Sequence, residues 1–309
     1  MRSFSVMFML LILSATSYAS EINLSGDVRA RHEVVDDSTA AQATRQRVRA
    51  RLYAETQVSD KTLVGLGIAT GTANSRSTNQ TVGGNFSSKS INLDTAFIQT
   101  ELLGSQVTVG KFKNTLQTQS ELFWDSDVRP EGVSMTSELK GFQLTSAYLV
   151  LDDSANNDPS LIVGQLGYGG ENFELNGSYS TTQGVATKES YVNVNGALLC
   201  GSKFKSVLFG EYNVNVETGT DDQAWLAGFG ASYKGVSLKY AYREVEANGV
   251  NALLTDSDFG NGVDVKGSEV NLAYTYDKVK VGATYFVLDN GINNGTDYDT
   301  LQVDLAVSF

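Results

Sequence analysis

Residues 22–34 read Ile22-Asn23-Leu24-Ser25-Gly26-Asp27-Val28-Arg29-Ala30-Arg31-His32-Glu33-Val34, and this stretch decides the fold class. Ile22, Leu24, Gly26, Val28, Ala30 and Val34 share one parity, while Asn23, Ser25, Asp27, Arg29, Arg31 and Glu33 share the other. Side chains along a strand point alternately to opposite faces, so this period of two describes a strand with one apolar and one charged face. The end of the chain repeats it: Leu301, Val303, Leu305, Val307 and Phe309 alternate with Thr300, Gln302, Asp304, Ala306 and Ser308. Between these ends the pattern recurs. Val48, Ala50, Leu52 and Ala54 oppose Arg47, Arg49, Arg51 and Tyr53; Phe173, Leu175, Gly177 and Tyr179 oppose Glu174, Asn176, Ser178 and Ser180; Val236, Leu238, Tyr240 and Tyr242 oppose Ser237, Lys239, Ala241 and Arg243.

The connections alternate as regularly as the strands. Tight ones fall at 59–61, 103–105, 139–141, 169–171, 201–203, 234–235 and 277–278. Longer polar ones fall at 35–43, 71–90, 113–131, 152–159, 181–189, 217–222, 247–266 and 289–297. Seven turns and eight loops join sixteen strands and place both chain ends on the side of the short turns. Short periplasmic turns opposite long extracellular loops are the asymmetry of a transmembrane barrel. Pro130 and Pro159, the two prolines, both fall in the long loops, where no ladder hydrogen bond is lost.

A soluble sandwich shows the same period within one strand, with its apolar parity turned inward. Aromatics near strand ends (Tyr179, Trp225, Tyr233, Tyr242, Tyr276, Tyr285), the alternation of turns and loops, and the terminal Phe309 favour the membrane. The expected fold is therefore all-β: a transmembrane antiparallel up-and-down barrel of about 16 strands.

Composition excludes other classes. The 309 residues include one Cys, one His, 30 Gly and 19% charged residues, too few cysteines for a disulfide scaffold and too little Cys and His for a zinc site. A net charge of −12 lacks the basic footprint that nucleic acid requires. Length alone would suggest two soluble domains, but one repeated pattern fills the chain. The first residues read as a leader: Arg2, an apolar run from Phe4 to Leu13, and the small residues Ser17 and Ala19 before a cut after Ala19. Residues 1–19 are thus expected to be a signal peptide and residues 20–309 the barrel. Removal of the leader takes Arg2 away and leaves 22 basic against 35 acidic residues, a charge of −13. No later stretch approaches the roughly 18 consecutive apolar residues of a membrane helix.

The stretch from Arg45 to Val133 resembles the putative porin family of Gram-negative outer membranes. The resemblance lies in Arg47-Val48-Arg49-Ala50-Arg51-Leu52, Val58-Ser59-Asp60-Lys61, Ala69-Thr70-Gly71 and Ser77-Thr78-Asn79-Gln80-Thr81-Val82-Gly83-Gly84. It continues in Gly110-Lys111-Phe112-Lys113-Asn114, Trp124-Asp125-Ser126-Asp127 and Pro130-Glu131-Gly132. It covers the first third of the chain closely and the remainder by pattern alone. It implies an outer-membrane channel for small hydrophilic solutes and ions, commonly a homotrimer among general porins, surrounded by lipid and lipopolysaccharide. It carries no catalytic residues. Phe309 resembles the signal by which outer-membrane assembly machinery recognises its clients.

The inner parity then gives the candidate site. If Val28, Val48, Ala50 and Leu52 face lipid, Arg29, Arg31, Arg45, Arg47, Arg49 and Arg51 face the lumen, since an Arg at mid-membrane on the lipid face costs about 2–4 kcal/mol. Stacked arginines need compensation, for which Asp27, Glu33 and Glu55 share their parity. Loop 113–131 holds the position of the porin loop that folds inward, and carries Glu121, Asp125, Asp127 and, at its end, Glu131. Acids facing an arginine wall would set a transverse field across a constriction. Lys61, Lys140, Lys203, Lys234 and Lys278 gather at the turns; Asp36, Asp37, Asp152, Asp153, Asp158, Asp221, Asp222, Asp256, Asp258 and Asp264 crowd the long loops and are expected to form an acidic outer rim. None of these loops has calcium-site spacing, so no metal and no cofactor is expected.

Two other functions are open at this point. A surface receptor or adhesin would use the acidic loops, but their length suits a channel better. A barrel enzyme would need a general base, and His32 lies on the apolar parity with Val28. Cys200, in an apolar stretch beside a turn, is expected to be an inert packed thiol. Gly65-Leu66-Gly67 lies within a strand pattern and marks crowded backbone, not a phosphate loop.

Overall fold

The computed structural model describes residues 21–153, 157–201, 204–260, 262–292 and 295–309. The expected leader and Lys203 lie outside the described residues. The chain is a continuous series of antiparallel strands: β1 (Ile22–Asp37), β2 (Ala43–Ser59), β3 (Thr62–Thr70), β4 (Gln80–Thr81), β5 (Ile91–Leu102) and β6 (Ser105–Lys111). β7 (Glu131–Leu139), β8 (Phe142–Val150), β9 (Ser160–Gly169), β10 (Phe173–Gln183), β11 (Ser190–Cys200) and β12 (Lys205–Asn215) follow. β13 (Gln223–Tyr233), β14 (Val236–Val245), β15 (Val265–Tyr276), β16 (Val279–Asn290) and β17 (Thr296–Ser308) complete the chain. β4 is a two-residue piece of the second long loop that pairs with Arg47 and Val48 above the end of β3, and β3 pairs directly with β5. The ring itself therefore has sixteen strands, each hydrogen-bonded to its sequence neighbours, and β1 closes it on β17 with Asp27 opposite Ser308 and Asp37 opposite Tyr298.

The short connections are built from turn chemistry. Leu103-Gly104, Lys140-Gly141 and Lys234-Gly235 all place two successive residues at positive φ, which matches the right-handed twist of a hairpin and requires Gly at the second position.

The parity of the strands settles which side is wet. On β10, Asn176, Ser178 and Ser180 are buried inside, whereas Leu175 and Tyr179 are 56% and 47% exposed on the outer surface. Asn193 and Asn195 on β11, and Glu211 and Asn213 on β12, repeat the buried polar row. A sandwich would bury the other parity. Outer rings gather near the strand ends: Phe142 and Tyr168 lie 4.6 Å apart beside the turns, and Trp225 and Tyr242 lie 5.4 Å apart towards the loops. Such amphipathic rings suit the two membrane interfaces. His32 is on the outer surface, bonded to Gln46. Cys200 is exposed at the end of β11, contrary to the packed thiol expected from its apolar neighbours.

Candidate functional site

The register of β1 on β2 builds the arginine ladder. Asp27 stands opposite Arg51, Arg29 opposite Arg49, Arg31 opposite Arg47 and Glu33 opposite Arg45. Acids at both ends thus bracket two like-charged pairs, which would otherwise repel. Asp27 accepts from Arg49 Nε at 3.0 Å and Arg51 Nε at 2.7 Å. Glu33, almost wholly buried, accepts from Arg45 Nε at 2.6 Å and Arg47 Nη1 at 3.3 Å. On the other side of β1, β17 brings Asp304 opposite Arg31, where Nε and Nη2 form a two-pronged bond of 2.7 and 2.9 Å. Arg29 Nη2 donates to Asn79 in the second loop at 2.7 Å. The wall is an interleaved array of both signs.

The loop between β6 and β7, residues 112–130, lies inside the ring. Its backbone at Gln117 exchanges hydrogen bonds with the inward side chain of Gln165, and Ser120 donates to Glu211 at 2.6 Å. Leu116, Phe123, Trp124 and Val128 pack on Leu149, Leu161, Val163 and Tyr191 of the inner wall. Asp127 reaches across to Arg51 at 3.2 Å and also accepts from the backbone and hydroxyl of Thr78 at 3.1 Å. Glu121 accepts from the backbone of Ser126, and Asp125 from the backbone of Asp127. Glu131 begins β7 and pairs with Lys111 at 2.6 Å. Beside it Arg129 donates to Asp94 at 3.0 Å, and Tyr53 donates to the same carboxylate at 2.7 Å.

The loop between β14 and β15 also enters the lumen, although its aspartates predict a place on the outer rim. Residues 246–264 carry Phe259 into a cluster with Leu122, Phe209, Leu226, Val245, Phe286 and Leu288. Asp256 pairs with Arg243 at 3.2 Å and Asp258 with Arg31 at 3.0 Å, so these two carboxylates belong to the lumen and not to the rim. The two loops join through their backbones: Asp256 N donates to the carbonyl of Glu121 at 3.0 Å, and Asp125 N to that of Leu254. Arg76 of the second long loop donates to the carbonyl of Thr255 at 3.4 Å. The overlooked signal was apolar residues on the inner parity, Phe209, Leu226, Val245, Phe286 and Leu288, which need a dry partner.

Burial raises the Asp125 carboxyl to about 8, the neighbouring charges of Glu121, Asp256 and Asp127 adding to the effect against the N–H of Asp127. Burial likewise raises Asp256, to about 7, although Arg243 opposes it. Asp258 is buried too, but the charge of Arg31, with hydrogen bonds from Gln302 and Arg31, holds it below the ordinary carboxylate range.

Between ladder and loops remains a cavity of about 440 Å³ whose lining carries both signs, Arg29, Arg31, Arg49, Arg76 and Arg243 interleaved with Glu121, Asp125, Asp127, Asp256 and Asp258. A further space of about 220 Å³ continues past Arg29 and Arg49 towards Ser308 at the turn end. Among the described residues, no group of three or more His, Cys, Asp or Glu is placed to hold a metal ion.

The solved structures most like this fold include three engineered variants of the Rhodopseudomonas blastica porin. They superpose with TM-scores of 0.62, 0.63 and 0.61, each at 14% identity, covering 94% of this chain and 100% of theirs. At that identity what is shared is the fold. An inside-out ring of sixteen strands, apolar outside and polar within, is the fold of a transmembrane β-barrel. Residues 21–152 match the family described as Putative porin. No curated protein matches the sequence.

Proposed function

We propose that small hydrophilic solutes and ions diffuse passively through the lumen along the arginine ladder, with the six arginines and the acids of loop 112–130 setting selectivity at the narrowest point. The observation that supports this most is the placement of Asp127 against Arg51 beside a polar cavity lined by side chains of both charges. Low-dielectric walls focus the field of such pairs across a passage. Glu131, tied to Lys111 at the start of β7, would act at the edge of this passage.

Reconstitution into a planar bilayer tests the reading. Stepwise conductance in potassium chloride, with a small reversal potential in a salt gradient, is the expected result; bilayers that stay silent after correctly folded protein is added would overturn it. Residues 1–19 would be removed on export, and the mature chains would assemble as a homotrimer within lipid and lipopolysaccharide. Cross-linking in native membranes would show a band at three times the chain mass.

A further inference from the structure

Beside the charged cavity, and sharing Gln119 and Lys239 with it, lies another of about 400 Å³ with a different lining. Its floor is Leu199 of β11, Val207 and Phe209 of β12, and the backbone of Gly230 on β13. These positions are the inner parity of three adjacent strands near their turn ends, where a lumen ordinarily presents polar groups. β13 makes room for them. A Cβ at Gly230 would stand 2.9 Å from Val207, and one at Gly228 only 2.4 Å from the Phe209 ring, so the two apolar side chains lie against bare backbone. Leu199 remains 43% exposed, open to the water of the lumen.

Two cations edge this floor. Lys239 Nζ sits 5.6 Å from the centre of the Phe209 ring and 3.6 Å from Glu269. Lys205 has no ion pair among the described residues. An inorganic ion gains nothing from the apolar floor, and a sugar, though Gln119, Ser206, Ser232 and Ser237 also line the pocket, would set its hydroxyls against carbon on that floor. An organic anion with an apolar body uses both. We propose that this pocket is a binding subsite for small carboxylates with an apolar body, the carboxylate held by Lys205 and Lys239 and the body lying on Leu199, Val207 and Phe209. The proposal rests on the channel reading only for the route by which the ligand arrives.

The test adds benzoate to open channels in a bilayer and follows the ionic current, with acetate and benzyl alcohol as controls for charge alone and ring alone. Benzoate should reduce the current saturably, at lower concentration than either control. Lys205→Gln and Leu199→Gln should each raise the half-blocking concentration about three- to fivefold, the worth of one screened charge or one small apolar contact. Both residues are exposed, so the barrel should fold unchanged. Benzoate acting no better than acetate, or blocking both variants at the same concentration as the wild type, overturns the pocket while leaving the channel intact. Should the protein not conduct, equilibrium dialysis of labelled benzoate against the folded barrel in detergent decides the same question, saturable binding weakened about three- to fivefold in each variant supporting the pocket and no saturable binding, or equal binding in all three proteins, overturning it.

Discussion

Phe309 exchanges two backbone hydrogen bonds of 3.0 Å with Gly26, and its ring covers the bare α-carbon of that glycine. A Cβ at Gly26 would stand 2.8 Å from the ring and 2.3 Å from the carbonyl of Arg51. Phe309 thus fastens the end of β17 to the first strand. Phe309→Ala should slow assembly into the outer membrane, because it removes the terminal aromatic, while the half-exposed ring leaves no interior cavity. Gly26→Val should slow closure by crowding the same seam. Pulse-labelling, read as the heat-modifiable shift between folded and boiled forms on a gel, measures both; wild-type rates in the two variants would remove any role for this contact.

Thiol labelling of intact cells with an impermeant reagent checks orientation and loop placement together. Ala40→Cys, Asp153→Cys and Thr220→Cys, all exposed on long loops, should react. Asp60→Cys and Lys278→Cys in the short turns should not, and neither should the native Cys200 at the turn end of β11. Thr255→Cys is the decisive position: it belongs to a long loop, yet lies buried in the lumen under Glu121. It should stay unreactive.

Selectivity follows from the pairing along the ladder. Arg51→Ser releases Asp127 as well as sharing in the loss at Asp27, so it should shift the reversal potential towards cations more than Arg47→Ser, whose partner Glu33 keeps Arg45. The shift should persist at high salt, because these partly buried pairs are screened much less than charges exposed at the mouth. Asp258→Asn should act oppositely by freeing Arg31 from one of its two acids. An unchanged reversal potential in all three would place the passage elsewhere in the lumen.

The contact between the two inward loops should depend on pH. Asp125 and Asp256 are raised to about 8 and about 7 from an ordinary value near 3.9, so the folded state holds protons that the unfolded chain has given up. Their stabilisation is complete below about pH 4 and is lost as pH rises through about 7 to 8. Above that, Asp125 meets the charges of Glu121, Asp127 and Asp256, with Asp258 close by and Arg243 the cation on the strand side. Raising pH from about 6 to about 9 should therefore increase cation selectivity and current noise, and Asp125→Asn should flatten both. A response equal in the variant would assign it to other groups.

The strands and the alternation of turn and loop were legible because both are local. Parity needs only neighbouring residues, and Leu103-Gly104 or Lys234-Gly235 carries its own turn geometry. The arginines too were readable, since Arg47, Arg49 and Arg51 on a lipid face would be prohibitive. Their partners were only partly so: Asp27 and Glu33 share the hairpin, but Asp304 arrives from β17 and Asp258 from a loop more than two hundred residues away. Loop 246–264 was misplaced for a related reason. Its aspartates look like a solvated rim until Phe259 is matched with Phe286 and Leu288 on another strand, and a single strand's period does not show that match.

That loops 112–130 and 246–264, with residues 76–79 beside them, occupy the lumen separates the size of the cylinder from the size of the sieve. The cylinder is fixed by strand number and by hydrogen bonds at every rung, and a change there must be accommodated all the way round. The sieve is set by loop segments, through the backbone bonds of Asp256 to Glu121 and of Asp125 to Leu254 and the anchors of Gln117, Ser120 and Asp127 on the wall. Barrels with the same wall could therefore admit quite different molecules, and a bacterium meeting new nutrients or toxins could retune what enters by editing two short stretches of one gene.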